Sequence, residues 1–386
     1  MRAFLVASGV SAVMLLGSFA VGCSSSGGSS SGGNGTSGDG GPGSSGGSSG
    51  GSSGGEGGGA AGALPLTTVL YVSKATPDLD ILMALDLTTG QTRVVTDLRA
   101  DGSQGWSIAG YSLSPDRTRI AMASLYGPTQ ADVDTKLPTR TIWTFFATDG
   151  SDFRRLTPTF ANTGGGKKQF VLEVRNPAFK RAGDDVLFNY GEFWYEGNTL
   201  TGGSSIWSIA ASGGKLPALF KAPSPCSLVD RSVDPSTGKV AIIHSVCVPG
   251  QGKDGIYLYA EDGSGTPEAL LASDATVDVA LEPPRWVADG SGFVFIGTTN
   301  LMVNGSSIAV RGLYAFDMAT RKPVPLVLPQ AKDTSVADAA PAPDASAVVY
   351  CLREGEATNL HVIDLTKNPA TDTGITTDGK SCHPVW

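Results

Sequence analysis

From Leu64 onward the chain is a succession of short apolar runs separated by polar turns rich in Asp, Gly, Ser and Pro. The fullest example is Pro284-Arg-Trp-Val-Ala-Asp-Gly-Ser-Gly-Phe-Val-Phe-Ile-Gly297. Its pattern predicts a strand ending at Trp286, a tight turn on Ala288-Asp289-Gly290, and a buried strand through Phe293 and Phe295. Weaker copies stand at Leu113-Ser-Pro-Asp116 before Ile120-Ala-Met-Ala123, and at Pro177-Ala-Phe179 before Val186-Leu-Phe188. Two more are Val233-Asp-Pro235 before Val240-Ala-Ile-Ile243 and Ala342-Pro-Asp344 before Val348-Val-Tyr350. A second hairpin pattern alternates with the first and occurs in six copies, beginning at Ile81, Ile142, Ile206, Ile256, Leu313 and Leu360. No long amphipathic helix interrupts the series.

Two hairpins per unit make four strands. The landmarks at positions 113, 179, 233, 286 and 341 are 66, 54, 53 and 55 residues apart. Four-stranded units at this spacing predict an all-β fold, a six-bladed β-propeller with four-stranded antiparallel blades. The first unit lacks an opening strand, since Thr67 to Ser73 already matches a second strand, while Ser381 to Trp386 is a surplus opening strand. Pairing of the N- and C-terminal strands therefore closes the ring and removes the open sheet edge, with Trp386 in the place of Trp286. The turns Ser114-Pro-Asp116 and Trp286 to Gly290 resemble the repeat of the TolB-like propellers, which carry a WD40-like Pro-Asp-Gly turn. The resemblance covers residues 64–386 and implies the fold. For function it implies one of several roles, because such propellers serve as partner-binding bodies, peptidase gates and occasionally lyases.

Residues 1–22 have the form of a signal peptide: Arg2, an apolar run from Phe4 to Leu16, and small residues before Cys23. Phe19-Ala-Val-Gly-Cys23 resembles the lipobox of bacterial lipoproteins, which implies cleavage before Cys23 and acylation of that residue. Ser24 next to it points to an outer membrane lipoprotein, facing the periplasm or the cell surface. From Ser24 to Gly62, 32 of 39 residues are Gly or Ser, so residues 23–63 read as a disordered tether. Such a coil spans about 35 Å on average and about 130 Å at full stretch. A formal net charge of −8 and a pI near 4.9 exclude a nucleic-acid surface, which needs a basic stripe.

Several motifs match known chemistry in the wrong setting. Gly43 to Gly47 and Gly51 to Gly55 fit the hydrolase G-x-S-x-G pattern but lie in the tether. Gly374 to Ser381 fits the phosphate-loop consensus, yet a strand rather than a helix follows it. Of three histidines, His361 reads as a packed strand residue, and His244 and His383 fall on non-neighbouring units. Asp78/Asp80 and Asp132/Asp134 read as solvated loop acids. No metal and no cofactor is expected.

With Cys23 acylated, four cysteines remain. Cys226 and Cys247 flank the turn at Ser236 to Gly238 almost symmetrically, which predicts a bridge across one hairpin. Cys351 and Cys382 pair by elimination. The connections between second and third strands run long, at Tyr126 to Arg140, Tyr190 to Ser205 and Thr298 to Arg311, and all must emerge on one face. Asn189-Tyr-Gly-Glu-Phe-Trp-Tyr-Glu196 brings four aromatics to that face, making Tyr190, Phe193, Trp194 and Tyr195, with Tyr126 beside them, the candidate binding residues. The reading is a monomeric, membrane-anchored binding module for an envelope protein or glycan. The alternative is a polysaccharide lyase or hydrolase with its site in the central channel.

Overall fold

The computed structural model describes residues 62–386, apart from 77–78, 97–106, 125–138, 158–159, 162–170, 197–198, 214–217, 221–223, 225, 246, 248–249, 274–276, 281, 304, 332 and 368. The side chains of strand residues 192–196 and 199–202 also lie outside the description. Six antiparallel sheets follow one another along the chain. Blade 1 holds Thr68–Thr76, Leu79–Asp86 and Thr92–Thr96, with Ser381–Val385 as its innermost strand. Blade 2 is Ile108–Leu113, Arg119–Ser124, Thr139–Phe146 and Arg154–Arg155, with Phe160–Ala161 added to its third strand. Blade 3 is Val171–Phe179, Asp185–Glu196, Thr199–Ala210 and Ala218–Leu219. Blade 4 is Ser227–Val233, Val240–Ser245, Gly255–Tyr259 and Glu268–Ala272. Blade 5 opens with two pieces, Asp278–Val279 and Arg285–Trp286, before Gly292–Val303, Ser306–Asp317 and Lys322–Val327. Blade 6 is Thr334–Pro341, Ala347–Glu354, Ala357–Asp364 and Thr371–Gly374.

The alternation of each strand explains the packing, because successive side chains point to opposite neighbours. In blade 2, Ile120 and Met122 join Leu70, Val72 and Leu82 of blade 1, whereas Ala121 and Ala123 join Val174, Val186 and Phe188 of blade 3. The same division repeats around the ring: six apolar clusters fill the six interfaces between neighbouring blades. The seam between blades 6 and 1 is one of them, built from Val349, Cys351 and Leu360 against Val69, Tyr71, Leu85 and Cys382.

Closure occurs as the sequence requires. Leu70 pairs with Val385, Val72 with Cys382 and Ser73 with Ser381. Trp386 is half-buried rather than enclosed like Trp286, and its indole N–H donates to the Leu66 carbonyl at 2.6 Å. The turns owe their shape to a recurring aspartate: Asp116, Asp149, Asp234, Asp289 and Asp344 each accept the backbone N–H two residues on.

Two sequence expectations change. The connections Tyr190 to Ser205 and Thr298 to Arg311 are not open loops but continuations of their strands, paired to Glu196↔Thr199 and to Val303↔Ser306. Asp80 is not a solvated acid: it is buried, and its carboxylate accepts the Ile108 N–H at 2.8 Å, capping the first strand of blade 2. The segment Gly374 to Ser381 leads from strand to strand with no helix, so it lacks the phosphate-loop setting.

Candidate functional site

The first strand of every blade faces the axis, and each is irregular at the same height. In blades 2, 3, 4, 6 and 1 the pairing slips at Ala109-Gly110, Asn176-Pro177, Val229-Asp230, Ala337 and His383-Pro384. In blade 5 the strand breaks between Val279 and Arg285. A bulge twists the strand and re-aims one side chain, here carrying a polar residue inward from each blade. Two of these residues, Asn176 and His383, have left-handed backbone, with φ of 50° and 54°.

Contacts run from blade to blade around this waist. The Asn176 amide lies against the α-carbon of Gly110, where a Cβ would meet its Oδ1 at 2.1 Å. Asn176 Nδ2 donates to Asp230 at 2.7 Å. Arg285 lies 3.8 Å from Asp338, whose other neighbour is His383 at 3.2 Å. The Tyr111 hydroxyl donates to the His383 carbonyl at 2.5 Å and joins blades 2 and 1. Tyr111, Asp230 and Asp338 are each at most 4% exposed, whereas the His383 side chain is 57% exposed. Burial pushes the Asp230 carboxyl up to about 7 against the pull of Arg175, Arg231 and Arg285. For Asp338 burial acts the same way, but Arg285 and His383 outweigh it and hold the carboxyl below its ordinary value.

On the face of the first-to-second strand turns a cavity of about 320 Å³ opens. Pro115, Pro235, Pro341 and Pro343 form its rim with Phe179 and Trp286, and Arg117, Arg181, Arg231 and Arg285 are its charged residues. The opposite face carries the second-to-third strand connections. There the blade 3 and blade 5 hairpins run past the described parts of the strands beside them: among the described residues, Trp194 to Glu196 pairs with Thr199 to Thr201 and Thr299 to Val303 with Ser306 to Val310, without a third strand. The blade 5 ribbon stands about 17 Å beyond the blade. Leu301 and Ile308 share one face of it, and Met302 is 71% exposed.

Among the residues expected to bind, Tyr126 and Cys23 lie outside the described residues. Tyr190 is half-buried and packs edge-on against Trp207, centroids 5.6 Å apart. Phe193, Trp194 and Tyr195 occupy the blade 3 hairpin, opposite Gly202, Thr201 and Leu200. Both expected disulfides form, Cys226–Cys247 and Cys351–Cys382. The first brings its sulfurs within 4.8 Å of a ring nitrogen of His244. That histidine is buried, contacts the Tyr259 hydroxyl through Nε2 at 2.6 Å, and is depressed by burial to about 4. With the sulfurs joined, the trio is a packed aromatic and disulfide cluster. His361 packs on Tyr350 beside Asp372.

Sequence reasoning missed the four arginines and the blade 5 ribbon. Arg117 and Arg181 stand four and two residues after their repeat landmarks, and Arg231 and Arg285 two and one before theirs, so no single repeat position announces them. The ribbon is announced by Asn304-Gly305, a dipeptide that favours a two-residue hairpin turn, with Gly305 at φ 78°.

No protein-family model and no curated protein matches the chain. Solved structures do. Kuenenia stuttgartiensis hydrazine synthase aligns with a TM-score of 0.53 at 14% identity over 83% of this chain and 46% of its own. A chain of a nidogen/laminin complex gives 0.50 at 10% identity, over 82% and 97%. A TolB-type protein of Agrobacterium tumefaciens gives 0.48 at 13% identity, over 80% and 88%. The likeness is one of fold. The protein is a six-bladed propeller module, and its solved neighbours also include peptidase propellers.

Proposed function

We propose that the chain is an outer membrane lipoprotein, acylated at Cys23, whose propeller captures an envelope protein or glycan as a monomer outside the cytoplasm. The observation that carries this reading is the pair of ribbons standing beyond blades 3 and 5 on one face. A two-stranded ribbon gains little stability by itself, so one that presents Met302 to solvent, with Leu301 half-buried beside it, is better accounted for by what it touches than by what it holds up. Phe193, Trp194 and Tyr195 occupy the second ribbon, with Tyr190 at its base, and are of the aromatic type that dominates interfaces; Tyr126, outside the described residues, is kept as a candidate from the sequence alone. The exposed Met302 argues for a protein surface over a sugar. Two disulfides accord with an oxidising compartment.

The test is affinity capture from envelope extracts and glycan arrays. Compared with wild type are Trp194→Ala and a chain in which a two-residue turn replaces Thr299 to Val310, joining the paired residues Thr298 and Arg311. Each variant is expected to lose capture at least about tenfold while melting within a few degrees of wild type. Undiminished capture by both, or a large fall in melting temperature with binding per folded molecule unchanged, would overturn the reading. Cys23→Ser is expected to move the protein to the soluble fraction; soluble wild type would refute the anchor.

A further inference from the structure

The cavity on the turn face is chemically unlike the rest of the molecule. The chain carries 36 acidic against 28 basic residues, yet the residues lining this cavity include four arginines and no acidic side chain. Two of the guanidiniums are held by neutral acceptors. Arg117 donates to the carbonyls of Leu64, Pro65 and Thr68 at 2.9 to 3.1 Å. Arg231, 2% exposed, donates to the Asn189 side chain and to the carbonyls of Asn176 and Leu187. Carbonyl oxygens satisfy the hydrogen bonds and fix the planes, but they leave the positive charge in place. Arg285 is 3.8 Å from Asp338, beyond hydrogen-bond reach, and Arg181 is exposed at the rim. Even with Asp230 and Asp338 of the waist both ionised, four positive charges face two negative ones. Arg231 and Trp286, which line the cavity, are each more than nine-tenths buried, so packing holds this part of the lining in place before any ligand arrives.

We propose that this cavity is a binding site for a small organic anion, one bearing carboxylate or phosphate oxygens on a compact, partly apolar body. The volume, about 320 Å³, is at the small end of the range for such sites. The walls suit an apolar body: four prolines set by the turns, with Phe179 and Trp286, form a rigid surface that needs no ordering on binding. This site is on the face opposite the ribbons and is independent of the capture proposed for them.

The experiment is calorimetric titration and thermal shift of the full-length chain with citrate, phthalate, glucose 6-phosphate and inorganic phosphate, beside phthalamide and glucose as uncharged counterparts. At least one organic anion is expected to bind and raise the melting temperature, more weakly as salt rises, while its uncharged counterpart does neither. The carboxylate and phosphate arms identify which oxygen chemistry the site prefers. Arg181→Gln, a rim residue outside the packed interior, and Arg285→Gln are each expected to weaken binding about tenfold or more, whereas the ribbon replacement leaves it unchanged. Equal response to charged and uncharged compounds, response to inorganic phosphate alone, no response to any of them at millimolar concentration, or unchanged binding in both arginine variants would overturn the proposal.

Discussion

His244 and Asp230 are buried in the same blade and bias stability in opposite directions as the pH falls. His244 is depressed to about 4 in the folded protein, so between about 6.5 and 4 the unfolded chain takes up a proton that the folded one refuses. Stability is then lost on acidification, by at most about 3 kcal/mol from this group. Asp230 is raised, so over an overlapping window the folded state binds the proton first and acidification stabilises it. In urea melts at a series of pH values, His244→Gln is expected to remove the destabilising slope and Asp230→Asn the compensating one. Wild-type slopes in both variants would show that neither group titrates on unfolding. Arg231→Met withdraws donors from two buried carbonyls and the Asn189 amide, and urea unfolding is expected to show a loss of about 3 kcal/mol or more. The turn aspartates Asp149, Asp262, Asp289 and Asp344 sit below the usual carboxylate range because the serine two residues on donates its hydroxyl and N–H to them. They were legible in the sequence as Asp-x-Ser turns. The waist was not, because the six blades contribute Tyr111, Asn176, Asp230, Arg285, Asp338 and His383. Six residues of five types at a bulge show no common pattern along the chain.

At the level of strands and hairpins, the closing strand is the element with the largest leverage. Ser381–Val385 pairs with Thr68–Thr76, contributes Cys382 to the seam, and carries the His383 carbonyl that receives Tyr111. Removing residues 381–386 opens the edge of blade 1 and breaks the Cys351–Cys382 bridge, and a bridge of this kind contributes about 3 kcal/mol. Differential scanning calorimetry is expected to show a much lower melting temperature with aggregation, and an unchanged transition would mean that the ends do not secure the ring. The sequence exposed this closure because a missing first strand and a surplus last strand are countable. It hid the ribbons because their residues, such as Thr298 to Val303, were measured against the length of a turn. The alternative signal was β-branched and apolar content with Asn304-Gly305 between the two halves.

Across the whole molecule, six interfaces of similar make-up argue for one cooperative unit. Light scattering is expected to give a single-chain mass near 39.5 kDa before acylation, and calorimetry a single transition that moves to lower temperature when a dithiol reduces the two bridges. Several transitions would show that the blades unfold separately. The buried waist has a further meaning at this scale. Tyr111, Asp230 and Asp338 lie between two faces of different chemistry, the arginine-lined cavity on one and the ribbons on the other. A small anion on the arginine side and a macromolecule on the ribbon side therefore do not compete for space. The occupancy of one face can influence the other only through the six bulged strands that both share, which makes the waist the place where any crosstalk between the two would have to be written.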